Sequence, residues 1–398
     1  MLTKPDFLAR IGTLNNIAPA GLNIFGNTYL VRKEMESPDA LIVRSAKVGP
    51  DQFPGFAIAR AGIGVNNIDV EEATRLGICV FNTPGGNARA VAELVTDMIG
   101  AQSRHVFAAV QFARSLYGYT DPHIEEMVEQ KKKDFVGNQL AGKTLGVIGL
   151  GKIGVLVANL GIHQGMRVIG LDTMLTVPNA HQLSPQVELA KTLEQVLEAA
   201  HFVTVHVPLV PENKHLINGA QIPLMRNGAT LVNYARREIC DEKAVLAGIE
   251  SGKLAAYITD FPTKELVAHP RVIATPHLGA STEESEETCA VMAARQLRDF
   301  FESGTVVNSV NFPTVELVPD RAVRTRLVVV NRDVPNMIAE ITSALGENGI
   351  NIARSRNESN GKIGYNLIDV NGTVPHDIVD RISAVDNVLK VRAIPMNR

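Results

Sequence analysis

The segment Gly149-Leu-Gly-Lys-Ile-Gly154 constrains this chain more than any other stretch of it. It follows a compact apolar run at 144–148 that reads as a strand, and it opens a segment with helical spacing. Asp172 closes the next apolar run, 18 residues after the last glycine. Parts in this order fit the strand–turn–helix of a doubly wound sheet that cradles a dinucleotide. The first glycine permits the tight turn, the second lets backbone approach a pyrophosphate, and the third lets helix pack close on strand. Free N–H groups at the helix start present partial positive charge to phosphates. Asp172 is placed to accept from the adenosine ribose hydroxyls, and neither Thr173 nor Met174 supplies an arginine for a 2′-phosphate. The motif therefore predicts NAD rather than NADP.

Further apolar runs at 167–171, 202–206, 230–233, 255–259 and 272–274 alternate with helical segments, which extends the nucleotide domain over residues 104–283. Runs at 40–43, 57–59 and 78–81 set a second parallel sheet within residues 1–103, and a helix at 284–302 returns the chain to that first domain through residues 284–318. A helical stretch at about 88–116 carries Val91, Leu94, Val95, Met98 and Ile99 on more than one side, so burial is expected, within a domain or across a subunit interface. Residues 125–133, EEMVEQKKK, read as a solvated helix face. Asn308 to Pro313 is expected to mark a boundary, with a short linker beyond it. Residues 324–398 then run strand, helix, strand, strand, helix, strand, with Asn360-Gly361 as the hairpin turn, the order of a split ferredoxin-like unit. The predicted class is α/β: two doubly wound parallel-sheet Rossmann-like domains plus a C-terminal ferredoxin-like βαββαβ domain.

Charge and cysteine content narrow the function. Lys plus Arg number 39 against 42 Asp plus Glu, a net charge of −3, which gives no global attraction to nucleic acid. Cys79, Cys240 and Cys289 lie far apart without a CxxC, so neither a disulfide framework nor a zinc site is expected, no metal is assigned, and a reducing compartment is favoured. No apolar stretch approaches the ~20 residues that span a bilayer. The N-terminal MLTKPDFLARIG carries charges where a secretory signal has an apolar run. A soluble cytoplasmic protein is expected.

The chemistry-bearing residues follow predicted strands, at the sheet edge where open α/β folds bind ligands. Asn233-Tyr-Ala-Arg-Arg237 puts Arg236 there, able to hold a carboxylate in a planar two-point grip. Asp260, Glu265 and Thr275-Pro-His-Leu-Gly-Ala-Ser281 share that edge. Alcohol oxidation needs a base of near-neutral pKa as hydride leaves; His277 suits it, with a carboxylate to hold its tautomer.

These motifs resemble the D-2-hydroxyacid dehydrogenase family nearly end to end. The resemblance is carried by Leu41-Ile-Val-Arg-Ser45, Ala59-Arg-Ala-Gly-Ile-Gly-Val65, Asn82-Thr-Pro-Gly-Gly-Asn87 and Val91-Ala-Glu-Leu94, then by the glycine turn, the Arg236 segment, Asp260-Phe-Pro-Thr-Lys-Glu265 and the His277 loop. It implies His277 as acid/base, Glu265 as its partner and Arg236 as carboxylate anchor. It also implies a cofactor site of Thr83, Gly149, Gly151, Lys152, Ile153, Gly154, Asp172, Val207, Pro208, Ala235, Asp260 and the His277–Gly279–Ala280 loop. Arg44, Ser45 and Arg60 would face the substrate, the two arginines as phosphate ligands. The implied reaction is NAD-dependent oxidation of 3-phospho-D-glycerate to 3-phosphohydroxypyruvate, the first step of L-serine synthesis, in a homodimer or homotetramer. The terminal βαββαβ unit resembles an ACT domain, an amino-acid sensor, and Asn331, Asp333 and Asn351 would form its effector cluster for L-serine.

Two departures from the family pattern stand out. Arg237 replaces the usual glycine after the catalytic arginine, so it either alters loop geometry or adds charge at the substrate; turnover is expected to survive Arg237→Gly. Asn336 replaces the glycine of the effector turn, which puts serine inhibition in question. Two rivals stay open: another D-2-hydroxyacid dehydrogenase, such as a glycerate or hydroxypyruvate reductase, and a non-catalytic NAD(H)-sensing protein like the family's corepressors.

Overall fold

A computed structural model describes residues 7–396, apart from residues 54, 319 and 321. The first six residues of the N-terminal stretch, and the last two of the final segment, lie outside the described residues. The chain divides into two units, residues 1–87 with 283–398, and residues 88–282.

In the first unit, β1 (Arg10–Leu14), β2 (Leu30–Lys33), β3 (Ala40–Val43), β4 (Ala57–Arg60) and β5 (Cys79–Phe81) form a parallel sheet in the order β2-β1-β3-β4-β5. β3 is buried along its whole length, as a continuous apolar run in a parallel sheet requires. The return helix Glu283–Ser303 lays Cys289, Ala293, Leu297 and Phe300 on that sheet.

In the second unit, β6 (Thr144–Ile148), β7 (Arg167–Leu171), β8 (Glu188–Leu189), β9 (Phe202–Val205), β10 (Ala229–Asn233), β11 (Leu254–Thr259) and β12 (Val272–Ala274) run parallel in the order β12-β11-β10-β9-β6-β7-β8. The order reverses between β6 and β9, which puts the switch point, and the ligand crevice, at the carboxyl ends of those strands. One face of the sheet packs on the helices Ala88–Ser103 and Lys152–His163, the other on Leu193–Ala199 and Glu242–Glu250.

The expected boundary at 103/104 moves to 87/88. Val91, Val95, Met98 and Ile99 pack with Leu145, Val147, Val155 and Ala158, so the helix Ala88–Ser103 belongs to the nucleotide unit. The predicted stretch 88–116 also breaks. His105 takes a left-handed φ of 52°, and the helix beyond it, Val106–Ser115, has no buried residue, with Val106, Phe107 and Val110 about two-fifths exposed. Its apolar side is bare rather than buried within this chain. The charged helix Asp121–Lys131 is solvated, as its composition predicts.

The C-terminal strands β13 (Thr325–Arg332), β14 (Ile352–Ser359), β15 (Ile363–Val370) and β16 (Val388–Pro395) form an antiparallel sheet, order β14-β15-β13-β16, with helices Met337–Gly346 and His376–Ser383 on one face. The opposite face is not free. Val328, Val330, Tyr365 and Leu367 join the core of the first sheet, and the Arg392 guanidinium stacks 4.0 Å over the ring of Phe300. Arg326 and Asp369, both 0% exposed, pair at 2.6 and 2.9 Å, and Arg326 also donates to the carbonyls of Ser303 and Leu317. Nor is Asn308–Pro313 a linker boundary: Asn311 is buried, its amide bonding Ile78 O and Thr74 Oγ1 and its oxygen accepting from Val80 N.

Candidate active site

The glycine turn follows β6, and its geometry passes the test for a dinucleotide. Gly149 sits at φ +92°, and a Cβ there would lie 2.7 Å from the His206 carbonyl. A Cβ on Gly154 would lie 1.8 Å from the Gly149 carbonyl, so helix and turn touch only through glycine. A Cβ on Gly151 would meet nothing within 4 Å, which leaves open the side of the turn that a pyrophosphate approaches. Gly151 caps the helix Lys152–His163 without a side-chain bond, and the helix start carries the partial positive charge that favours a phosphate. Asp172 Oδ2 accepts from Leu150 N at 2.7 Å and Oδ1 from Met174 N at 2.7 Å. The carboxylate holds the turn while half exposed, with lone pairs left for ribose hydroxyls. Val207 packs beside Gly149, followed by Pro208.

His206, in the same crevice, was not singled out from the sequence. Its Nε2 meets Thr204 Oγ1 at 2.9 Å, its Nδ1 is buried without a hydrogen bond, and burial pushes its pKa down to about 3. It is a neutral imidazole.

Arg236 follows β10 and is half-buried, its Nη1 donating to Ala235 O at 2.7 Å. Asn233, fully buried at the end of β10, fixes this turn: its amide donates to Arg236 O at 2.9 Å and its oxygen accepts from Ala235 N at 3.1 Å. Asn233 also reaches Tyr257 Oη at 3.3 Å, next to Cys240, whose thiol burial pushes up to about 12. That thiol is inert packing rather than a nucleophile. The available signal for Asn233 was a polar residue ending an otherwise apolar strand.

His277 is exposed and held at a left-handed φ of 58°, a conformation that histidine tolerates better than most residues. The edge of one ring meets the other at 5.4 Å between His277 and Phe261. Strain of this kind persists only where surroundings over-determine it, and here Asp260 does so. Asp260 is 3% exposed with both oxygens engaged by its own loop. Oδ1 accepts from Thr275 Oγ1 at 2.6 Å and Leu278 N at 2.7 Å, and Oδ2 from Gly279 N at 2.8 Å. It shapes the loop that carries His277, Gly279 and Ala280. Tyr234 supports it through a 3.1 Å bond to Thr275, and burial raises the tyrosine pKa to about 12.

Glu265 lies on the short helix Lys264–Val267, exposed, and makes no hydrogen bond to His277. The acid and base stand on adjacent strand-end loops, after β11 and β12, without forming the expected pair. Arg237 has no positive φ, so the backbone there needs no conformation reserved for glycine. Its guanidinium is taken by Glu242.

The remaining predicted residues lie in the first unit. Arg44 follows β3 with its Nη2 2.6 Å from Glu286 Oε1, and Arg60 donates from Nε to Arg44 O at 3.1 Å. Asn15, unremarked in the sequence, gathers the amides of Arg44, Ser45 and Ala46 on its side-chain oxygen at 2.9–3.2 Å. The Thr83 hydroxyl is buried without a hydrogen bond. In the C-terminal sheet the proposed effector cluster does not assemble. Asn331 is buried and bonded to Asn366 at 2.7 Å, Asp333 accepts from Ser359, and Asn351 is exposed and bonded to neither. Asn336 sits at φ 75°, a left-handed turn of the kind that glycine favours and asparagine tolerates.

A sequence profile described as D-isomer specific 2-hydroxyacid dehydrogenase, NAD binding domain, matches residues 106–279. The chain belongs to the D-isomer specific 2-hydroxyacid dehydrogenase family, and its second unit is that family's NAD-binding domain. Within the family it is similar to D-3-phosphoglycerate dehydrogenases. That of Bacillus subtilis is 38% identical over 71% of this chain and 53% of its own length. D-3-phosphoglycerate dehydrogenase 1 of Saccharomyces cerevisiae is 32% identical over 80% of this chain and 68% of its own. The crystal structure of NAD+-bound 3-phosphoglycerate dehydrogenase of Entamoeba histolytica superposes with a TM-score of 0.60 at 28% identity, over 76% of this chain and 98% of that one. The chain spans about half the length of several of the curated relatives it matches. Among the described residues no helix is long and apolar enough to cross a membrane.

Proposed function

We propose that this chain is a cytoplasmic NAD-dependent dehydrogenase that interconverts 3-phospho-D-glycerate and 3-phosphohydroxypyruvate, the first step of L-serine synthesis. The observation that carries the reading is the set Arg236, Glu265 and His277 on consecutive strand-end loops of the sheet that holds the open glycine turn. Arg236 takes the substrate carboxylate. Arg44 and Arg60 of the first unit take the phosphate, with Ser45 beside them, and Thr83 contributes to the cofactor site. His277 removes the C2 hydroxyl proton, and Glu265 becomes its partner once substrate is bound. Bound NAD supplies the hydride acceptor. Positioning and fixed charge account for most of the acceleration.

The test follows NADH oxidation by the purified chain with 3-phosphohydroxypyruvate and, as matched control, hydroxypyruvate. Strong preference for the phosphorylated acid is expected. Equal or better use of hydroxypyruvate moves the chain to the reductase class, and activity with neither makes it a nucleotide-sensing binding protein.

Two further parts belong to this reading. The bare apolar side of the helix Val106–Ser115 supports a homodimer through the nucleotide domain, checked by sedimentation of the chain and of Val110→Glu. The C-terminal sheet is the seat of a small amino-acid effector, L-serine, though not through a cluster of Asn331, Asp333 and Asn351, since Asn366 and Ser359 already satisfy the first two. A rate unchanged by millimolar L-serine removes that assignment.

A further inference from the structure

Arg237 is the residue that most departs from the family pattern and the one the reaction above does not use. It follows Arg236 directly, and its Nε and Nη2 meet Glu242 Oε1 and Oε2 at 2.5 and 3.2 Å, a two-point grip. An ordinary surface ion pair contributes little, but this one has a less common setting. Glu242 is only 18% exposed, sits at the start of the helix Glu242–Glu250, and is favoured there by the helix dipole. Its Oε2 also accepts from Thr263 Oγ1 at 3.3 Å. Thr263 is the N-cap of the helix Lys264–Val267, its hydroxyl accepting from Leu266 N at 3.4 Å. Glu265 is the second residue of that helix. The chain of bonds thus starts one residue from the carboxylate anchor and ends two residues from the acid assigned to His277. The field at Arg237 agrees with this placement: Glu242 raises its pKa most, with smaller contributions from Glu238 and Glu265.

We propose that Arg237 is a positioning residue: through Glu242 and Thr263 it ties the Arg236 turn to the short helix carrying Glu265, fixing the spacing between carboxylate anchor and acid partner. The inference rests on the roles given to Arg236 and Glu265 above. It explains why a charged side chain stands where a glycine would serve the backbone equally well.

The experiment compares full-length wild type with R237M, R237K, E242Q, T263S and the R237M/E242Q double variant. Steady-state kinetics use NADH with 3-phosphohydroxypyruvate, and hydrogen exchange is followed in the segment 260–267. R237M and E242Q are each expected to raise the oxoacid KM about tenfold with kcat within about threefold, and the double variant to be no worse than either single one. R237K, which keeps the charge but not the fork, falls between, and T263S behaves as wild type. Exchange across 260–267 quickens in R237M and E242Q. Unchanged KM in both single variants, additive effects in the double, or unchanged exchange overturns the proposal. A wild type inactive on 3-phosphohydroxypyruvate overturns the assigned function instead, and the exchange comparison still decides the clamp. Should R237M fold poorly, E242Q carries the same test from the other side.

Discussion

The glycine turn after β6 and the His277 loop after β12 are built on the same plan, a strand-end loop pinned by an aspartate, yet the two aspartates are used oppositely. Asp172 is half exposed and gives each oxygen to one backbone amide, Leu150 and Met174. Asp260 is buried and spends both oxygens on Thr275, Leu278 and Gly279. The first shapes its loop and still turns acceptors toward solvent; the second makes three bonds to its loop and is closed off from solvent. Burial, not residue type or strand-end position, separates the carboxylate left open to solvent from the one held inside its loop.

If the Asp260 scaffold exists to present one side chain, removing that side chain gives the largest effect and leaves the loop intact. His277→Ala is expected to lower turnover about 10²–10⁴-fold, with little change in NADH affinity or thermal midpoint. Near-normal turnover takes His277 out of the mechanism. Breaking the scaffold instead acts on stability and activity together. Asp260→Asn points an amide at a backbone N–H, at a cost of about 1–3 kcal/mol. The thermal midpoint and kcat are expected to fall together, while NADH binding changes less. A drop in NADH affinity alone would return Asp260 to the role of direct ligand.

The two loops also differ in their histidines. His277 is exposed, whereas His206 beside the glycine turn is half-buried with its Nδ1 fully enclosed, and its pKa is pushed down from 6.5 to about 3 by desolvation. Above pH 6.5 neither folded nor unfolded chain holds this proton, so the residue has no pH effect. As pH falls from 6.5 toward 3, the unfolded chain takes up a proton that the folded chain refuses, and stability is lost. Between pH 7 and 5 the loss from this one group is about 2 kcal/mol. His206→Gln is expected to flatten the unfolding free energy against pH by that amount in denaturant titrations. An unchanged slope would mean that His206 titrates normally in the fold.

Much of this was legible in the sequence because the governing constraints are local. A glycine turn between strand and helix, continuous apolar runs for buried parallel strands, and the Asn360-Gly361 hairpin each follow from a few neighbouring residues. Six of the seven strands of the nucleotide domain and the βαββαβ order are found within a residue or two of their predicted positions, and only the two-residue, exposed β8 had no apolar run to mark it. What escaped is decided by packing between distant segments. Nothing near Ala88 says that its helix lies on Leu145 and Val155 rather than on the first sheet. Asn308–Pro313 reads as a domain boundary until Asn311 is seen filling the hydrogen-bond vacancies of Ile78 and Val80. Asn233, Asn15 and Glu242 carry no motif, because a residue that orients another is recognised by its partners. The effector cluster failed for the opposite reason: Asn331 and Asp333 are polar and adjacent in sequence, but Asn366 and Ser359, on the neighbouring strands, already satisfy them.

The aspartate comparison is sharpest at Asp172, where one carboxylate is asked to do two jobs. Its bond to Leu150 N braces the turn, and its remaining lone pairs are the proposed ribose ligands. Asp172→Ala removes both functions, and NADH binding is expected to weaken about tenfold, with discrimination against NADPH relaxed because the repulsion of a 2′-phosphate goes with the charge. Asp172→Asn separates the jobs. The amide oxygen can still accept from Leu150 N while its NH2 faces Met174 N, so the thermal midpoint falls slightly and the lost charge narrows the NADH-to-NADPH ratio. A variant asparagine that loses stability but keeps its cofactor preference would show Asp172 to be scaffold like Asp260, and the contrast between the two loops would collapse.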